Sequence, residues 1–347
     1  MRYPDFLKPG DRIGFIAPSF GCAGFEPYYS RFQSALRFFK SEGYETICGP
    51  NVFLDEGIGK SSTPEKCGNE INDFFLNEKS DIIISVGGGE TMCEDLDYVS
   101  FGKIASVKPV WFMGYSDNTN LTFTLPTLCD TAAIYGPSAS SFGQKPQHRY
   151  LNDFYLLLKG NRLDFSNYDF WEKENPEVET NPLATLNATE PFSLSVYNDG
   201  KLSSDTELSF SGRLLGGCLD LLVCLCGTRF DKVKEFNEKY KKDGIIWFLE
   251  SCDLSPLSII RGLWQLRNAG WFDTAKGFLI GRSLHYKDEI MGTNCLKAYV
   301  DSLKDLNIPI VLDLDIGHLP PQMPVISGAI GDVTVKGNSV KLTHRLC

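Results

Sequence analysis

Short apolar runs that alternate with stretches of helical spacing constrain this chain more than any other feature. Arg12–Ala17 (RIGFIA), Tyr44–Cys48, Asp81–Val86 (DIIISV), Val110–Tyr115 and Thr131–Tyr135 read as strands. Tyr29–Ser41 and Pro64–Leu76 read as helices between them, the first with Phe32, Leu36 and Phe39 on one face, and a further helix runs through Met92 and Leu96. Strands that are apolar on both faces and separated by helices predict a parallel sheet covered on both sides, an α/β architecture.

From Asn161 to Ser209 the pattern breaks. Asn, Asp, Glu, Pro and Ser dominate, with isolated aromatics at Phe170, Trp171 and Phe192. This reads as a connector with short strands, placed to cover a site. Order returns at Gly212, with Leu215–Cys226 expected as a helix, Gly244–Leu249 (GIIWFL) as a strand and Pro256–Ala269 as an amphipathic helix. Strand Gly277–Gly281, helix Cys295–Leu306, strand Pro309–Leu314 and short strands between Val325 and His344 follow. The expected domains are 1–165, a connector over 166–210, and 211–347.

Charge and cysteine usage narrow the function classes. The chain of 347 residues has 34 basic and 44 acidic side chains, a net charge of −10, so a nucleic-acid partner bound through phosphates is not expected. The longest apolar run, Leu214–Cys226, is interrupted by Gly216, Gly217 and Asp220, and neither a membrane span nor a signal peptide is expected. Eleven cysteines occur without a CxxC or a zinc-like Cys/His cluster; Cys224 and Cys226 form a CxC pair. They read as reduced thiols of a cytoplasmic protein, so the Asn-x-Thr triplets at Asn120 and Asn187 carry no glycosylation meaning.

Several residues could carry chemistry. Ser116 follows strand VWFMGY and precedes helix-compatible residues, the arrangement of a nucleophile elbow without its full GxSxG pattern; a helix-capping role for Ser116 or Asp117 fits equally. Glu250 ends strand IIWFL, where it could orient an imidazole or pair with Arg261. His318 follows IVLDLD inside Gly317-His318-Leu319-Pro320-Pro321, beyond a strand's carboxyl end where α/β proteins bind ligands, although a structural histidine is compatible with that place. His148 and His344 read as surface residues, and His285 sits among solvated neighbours. Gly87-Gly88-Gly89 could cradle a phosphate or offer amides to an oxyanion, but it lacks the spacing of a dinucleotide or P-loop motif. Asp313 and Asp315 alternate on a strand without the rest of a metal-binding loop, and no metal is assigned.

Taken in order, Pro9-Gly10-Asp11, Ala17-Pro18-Ser19, the Gly87 triplet, Gly114-Tyr115-Ser116-Asp117, Gly136-Pro137, Gly216-Gly217, Gly227-Thr228, Phe248-Leu249-Glu250, Arg261-Gly262-Leu263-Trp264-Gln265-Leu266 and Gly317-His318 form a set. With it the chain resembles the LD-carboxypeptidase family of serine peptidases over nearly its whole length. The stretch MGYSDNTN and Tyr135-Gly136-Pro137 are most similar to its microcin C immunity branch. The resemblance implies a flavodoxin-like N-terminal domain, a C-terminal swivelling β/α domain and a homodimer without cofactor or metal. It implies a triad of Ser116, Glu250 and His318, with oxyanion amides from Gly88, less so Gly87, and from Asp117. The implied activity is hydrolysis of an amide bond in a small peptide or a peptide–nucleotide conjugate. Cleavage of a murein tetrapeptide is the alternative, and a non-catalytic two-lobed binding protein a third reading. Two departures stand out: Cys218 replaces a frequent polar residue after Gly-Gly, and Trp171 has no secure counterpart among the connector tryptophans that stack on a nucleobase in the immunity branch.

Overall fold

In the computed structural model, which describes residues 1–23 and 26–347, the alternating first half is an α/β layer structure. Its elements are β1 (Arg12–Ile16), α1 (Tyr28–Ser41), β2 (Glu45–Cys48), α2 (Pro64–Leu76), β3 (Ile82–Ser85), α3 (Phe101–Ile104), β4 (Trp111–Gly114), α4 (Thr119–Cys129), β5 (Ala133–Tyr135) and α5 (Arg149–Leu158). The five strands lie in the order β5-β4-β3-β1-β2, every neighbouring pair parallel. That is the doubly wound order of a flavodoxin-like sheet. Ile82, Ile83 and Ile84 are fully buried, as a strand covered on both faces requires. Helix α2 starts where Thr63 accepts the Lys66 amide and Pro64 fills the first turn; its Ile71, Phe74 and Phe75 pack with Phe112, Leu121 and Leu125. The helix expected through Met92 and Leu96 is a 3₁₀ segment, Met92–Tyr98, whose first amide is taken by the Asp117 side chain.

The remaining elements are β6 (Asp164–Ser166), β7 (Phe170–Trp171), β8 (Glu190–Pro191), β9 (Ser195–Asn198), β10 (Lys201–Ser203), β11 (Glu207–Cys218), α6 (Leu219–Leu225), α7 (Val233–Lys239), β12 (Ile245–Glu250), α8 (Pro256–Asn268), β13 (Ala275–Gly281), α9 (Cys295–Leu303), β14 (Ile310–Leu314), β15 (Val325–Ser327), β16 (Ile330–Lys336) and β17 (Ser339–Arg345). A nine-stranded sheet runs β10-β9-β14-β13-β12-β11-β16-β17-β6, and β7 pairs with β8 as a separate ribbon. Within it β14, β13, β12 and β11 are parallel, flanked by antiparallel strands on both sides.

The chain divides into two compact units. Residues 1–162 with 174–187 form the first, and 163–173 with 188–347 form the second. Inside the first, Arg31 Nε donates to the Pro182 carbonyl at 2.7 Å, and the Lys145 amide to Leu183 at 2.7 Å. These bonds hold 174–187 against α1 and the loop before α5.

Two expectations need correction. Leu215–Cys226 is not one helix: Leu215–Cys218 continues β11, and only Leu219–Leu225 is helical. Gly216 and Gly217 have φ of +155° and +145°, and a Cβ on Gly216 would strike the Phe248 carbonyl of the adjacent strand. The glycine pair allows β11 and β12 to approach, a tertiary demand that helical spacing hides. His344 is not a surface residue but 2% exposed, on the inward-facing side of β17 with Val340 and Leu342. Its Nε2 accepts the Ile326 amide and Nδ1 donates to the Leu163 carbonyl; burial lowers its pKa to about 4, keeping it neutral.

Candidate functional site

In the first unit, β4 ends at Gly114 and the chain turns into the 3₁₀ segment Ser116–Asn118 that leads into α4. Ser116 takes φ +60°, a left-handed conformation that costs a non-glycine residue energy and clusters at reactive turns. Its backbone amide donates to the Tyr135 hydroxyl at 3.3 Å. Gly88 lies against it: a Cβ there would stand 3.2 Å from Ser116 Cβ and 3.3 Å from Oγ.

The glycine turn is fixed by its carbonyls. Asn118 Nδ2 and Ser85 Oγ both donate to Gly87 O at 2.8 Å, and the Phe20 amide donates to Gly88 O at 2.8 Å. Asp117 is wholly buried, and its carboxylate accepts Ser19 Oγ at 2.5 Å, the Met92 amide at 2.9 Å and Asn120 Nδ2 at 3.1 Å. One side chain thus ties the β1 loop, the segment after the glycines and α4 to the turn that carries Ser116. Burial raises the Asp117 pKa despite these bonds. Neighbouring Asp95 is raised to about 9, first by burial and then by the Asp117 charge, and one of its oxygens is buried without a hydrogen-bond partner.

In the second unit, Glu250 closes β12 with no exposure, and its Oε2 lies 2.8 Å from His318 Nδ1. Two glycines make room for it. A Cβ on Gly317, at φ +103°, would fall 2.5 Å from Glu250 Oε2, and one on Gly281 would fall 2.9 Å from Glu250 Cβ. Burial opposes protonation of His318, but the Glu250 carboxylate outweighs it and holds the imidazole pKa well above 6.5. The pairing leaves Nδ1–H facing Glu250 and the Nε2 lone pair to accept a proton.

Arg261, the alternative partner for Glu250, donates instead to Ser258 Oγ at 3.1 Å. His285 pairs with Asp288 at 3.0 Å, and His148 caps α5 by accepting the Tyr150 amide. Asp315 pairs with Arg282 at 3.0 Å, while among the described residues the Asp313 carboxylate makes no such bond. Among the described residues, no group of three or more His, Cys, Asp or Glu could hold a metal ion. Sequence reasoning missed Cys252, whose thiol pKa is raised by burial and drawn back by the nearby His318, and the anchoring carboxylate of Asp117. Cys252 lies two residues beyond Glu250, a place that carries no signal on its own.

Two family profiles match this chain: the LD-carboxypeptidase N-terminal domain over residues 13–136 and the C-terminal domain over residues 211–333. The chain belongs to the LD-carboxypeptidase family. Its members are serine peptidases, so the chain is a hydrolase, and Ser116 and the Glu250–His318 pair lie in separately matched halves of an LD-carboxypeptidase. A Streptomyces coelicolor protein named as a candidate carboxypeptidase is 22% identical over 341 residues, 98% of this chain and 95% of that one. An MccF-like protein from Bacillus anthracis is 21% identical with a TM-score of 0.80, covering 99% of this chain and 100% of the other. The microcin C7 self-immunity protein MccF, solved with aspartyl sulfamoyl adenosine, is 19% identical at a TM-score of 0.80, covering 99% and 98%. A muramoyltetrapeptide carboxypeptidase from Oxalobacter formigenes is 21% identical at 0.69, covering 96% and 98%. These likenesses establish the fold.

Proposed function

We propose that this LD-carboxypeptidase cleaves an amide bond in a small peptide or peptide–nucleotide conjugate by a Ser116–His318–Glu250 mechanism. The buried Glu250–His318 contact of 2.8 Å carries the reading, because a carboxylate fixed on Nδ1 leaves Nε2 as the base. Ser116 Oγ attacks the carbonyl carbon while its proton passes to His318 Nε2. General-base help of this kind contributes about 10²–10⁴-fold. The oxyanion is met by backbone amides of Gly88 and Asp117, each donor worth about 10²–10³-fold. His318 then protonates the leaving amine, and water deprotonated by the same imidazole hydrolyses the acyl ester and restores Ser116.

The immunity-type substrate is favoured over a murein tetrapeptide by the higher TM-scores of the MccF-type structures, 0.80 against 0.69. In this reading 1–165 carries the nucleophile, 211–347 carries the glutamate and histidine, and the chain between them, 166–210, contributes segments to both units. We assign the protein to a reducing, cytoplasmic setting on its eleven cysteines without a disulfide, and to a homodimer on the family pattern.

The deciding experiment compares an aminoacyl sulfamoyl adenosine with a muramoyl tetrapeptide as substrates of the parent and of Ser116→Ala. Cleavage of the conjugate by the parent and none by the variant is expected. Equal turnover by both proteins overturns the serine mechanism, and release of D-alanine alone overturns the substrate reading.

A further inference from the structure

The second unit holds a feature that the triad does not use. β13 and β14 pair at Phe278↔Ile310 and Leu279↔Val311, but Gly281 pairs with Leu314, two steps on one strand against three on the other. The additional residue makes a bulge, and within it Asp313 takes φ +64°. Bulges re-aim a side chain out of the strand's alternation, and a left-handed non-glycine residue persists only where its surroundings impose it.

Asp313 lines a cavity of about 410 Å³ together with Trp171, Glu190, Arg282, Tyr286 and Cys295. That volume lies in the range of small-molecule sites, roughly 300–1,000 Å³. Among the described residues, none donates a hydrogen bond to the Asp313 carboxylate. Its charge reaches the Cys295 thiol on α9 and adds to the burial that raises that thiol's pKa.

Among the described lining residues, Arg282 supplies the single guanidinium, and it is already committed. Arg282 Nη2 donates to Asp315 Oδ1 at 3.0 Å and to the Asp313 carbonyl at 3.2 Å, and its carbon lies 4.5 Å from the Trp171 ring centre. Asp315 balances Arg282, which leaves the Asp313 carboxylate and Glu190 as surplus negative charge. Trp171 and Tyr286 meet edge to face, their centroids 5.5 Å apart at 90°, and aromatic faces of this kind attract cations.

We infer that this cavity binds a primary ammonium group, with the Asp313 carboxylate as its acceptor and the Trp171 and Tyr286 rings as its aromatic wall. An ammonium donates three hydrogen bonds, and a desolvated carboxylate with no donor of its own is its complement. The ammonium has two sources, a peptide substrate's own amino group or a free amine. The first rests on the proposed peptidase reading, and the second does not. Ser283, another residue of the cavity wall, bonds Ser251 at 2.9 Å, one residue beyond Glu250, so an occupant lies close behind the strand end that carries the glutamate.

The test titrates 1,4-diaminobutane and the uncharged 1,4-butanediol into the full chain by calorimetry, in the parent, in Ser116→Ala and in Asp313→Asn. Asparagine accepts a positive φ readily, so the bulge survives in the last variant, and its thermal melt checks this. Saturable millimolar binding of the diamine in the parent and in Ser116→Ala, none of the diol, and about tenfold or greater weakening in Asp313→Asn are expected. Absence of saturable diamine binding, or equal affinity in Asp313→Asn, overturns the inference whether or not the peptidase reading stands. A cleavable peptide with a free or an acetylated amino group separates the sources. A higher KM on acetylation, abolished by Asp313→Asn, assigns the site to the substrate; an unchanged KM with diamine binding intact assigns it to a free amine.

Discussion

Ser116 sits at φ +60° beside the buried Asp117 carboxylate, and Gly88 faces it with tight space for a methyl group. Gly88→Ala would place a Cβ 3.3 Å from the Ser116 hydroxyl oxygen and shift the peptide whose amide is assigned to the oxyanion. A fall of about 10²-fold in kcat with KM and melting temperature little changed is expected, since one donor is misplaced and no core contact is lost. Steady-state kinetics beside a thermal melt check it; unchanged kcat assigns the oxyanion elsewhere. In the proposed mechanism His318 must be neutral to take the serine proton, and its pKa is raised above 6.5 by Glu250 against the opposing effect of burial. The acidic limb of kcat/KM is therefore expected above the ordinary imidazole value. Glu250→Gln should carry that limb to lower pH while lowering the plateau, because removing the carboxylate removes the preference for imidazolium. A limb that stays in place in Glu250→Gln would show that another group titrates. Asp95 gives a stability test with its own sign. Its folded pKa is raised from 3.8 to about 9, so the folded state is penalised as pH rises above 3.8 and the unfolded carboxyl ionises first. Asp95→Asn removes that penalty, and its melting temperature should exceed the parent's more at pH 8 than at pH 4.

At the scale of elements, the parallel sheet of the first unit was legible because its strands are apolar on both faces and their ends carry plain signals. Thr63-Pro64 at the start of α2 and Ser255-Pro256 at the start of α8 set the two helix boundaries by capping chemistry that a sequence displays. Strand β11 was not legible. Its first five residues alternate in burial and its last seven are all buried, so one element carries two patterns, and the second passes for a buried helix. The candidate site was legible to the same extent as its turns. Ser116, Glu250 and His318 each stand at the end of an apolar strand, which marks them as candidates beside capping, ion-pair and structural readings, whereas the Asp117 bonds to Ser19 and Met92 join residues 98 and 25 apart and leave no local trace. Gly216→Ala tests the strand reading. Its Cβ falls on the Phe248 carbonyl at φ +155°, and a loss of roughly 3 kcal/mol of stability is expected by chemical denaturation. Tolerance of alanine there would mean that the close approach of β11 and β12 is dispensable.

At the scale of the whole molecule, the chain passes between its two units three times, at 162/163, 173/174 and 187/188. Residues 174–187 therefore belong to the first unit although the second surrounds them in sequence. Arg31 holds them through the carbonyls of Pro182 and Ala184 at 2.7 and 3.1 Å. Arg31→Ala leaves both carbonyls without their guanidinium and should open this segment to proteolysis before any other; cleavage that begins elsewhere would assign its order to other contacts.

The eleven cysteines join in no disulfide, and their burial differs sharply. Cys93, Cys224 and Cys347 are exposed, while Cys22, Cys67 and Cys129 are buried in the first unit and Cys218 and Cys295 in the second. A buried thiol reacts only when its surroundings open, and burial further suppresses the reactive thiolate by raising the pKa of Cys22 and Cys129 to about 12. The molecule thus contains two sets of internal clocks. After a rapid burst from the exposed thiols, the rate at which each buried cysteine is alkylated records how often its own unit breathes.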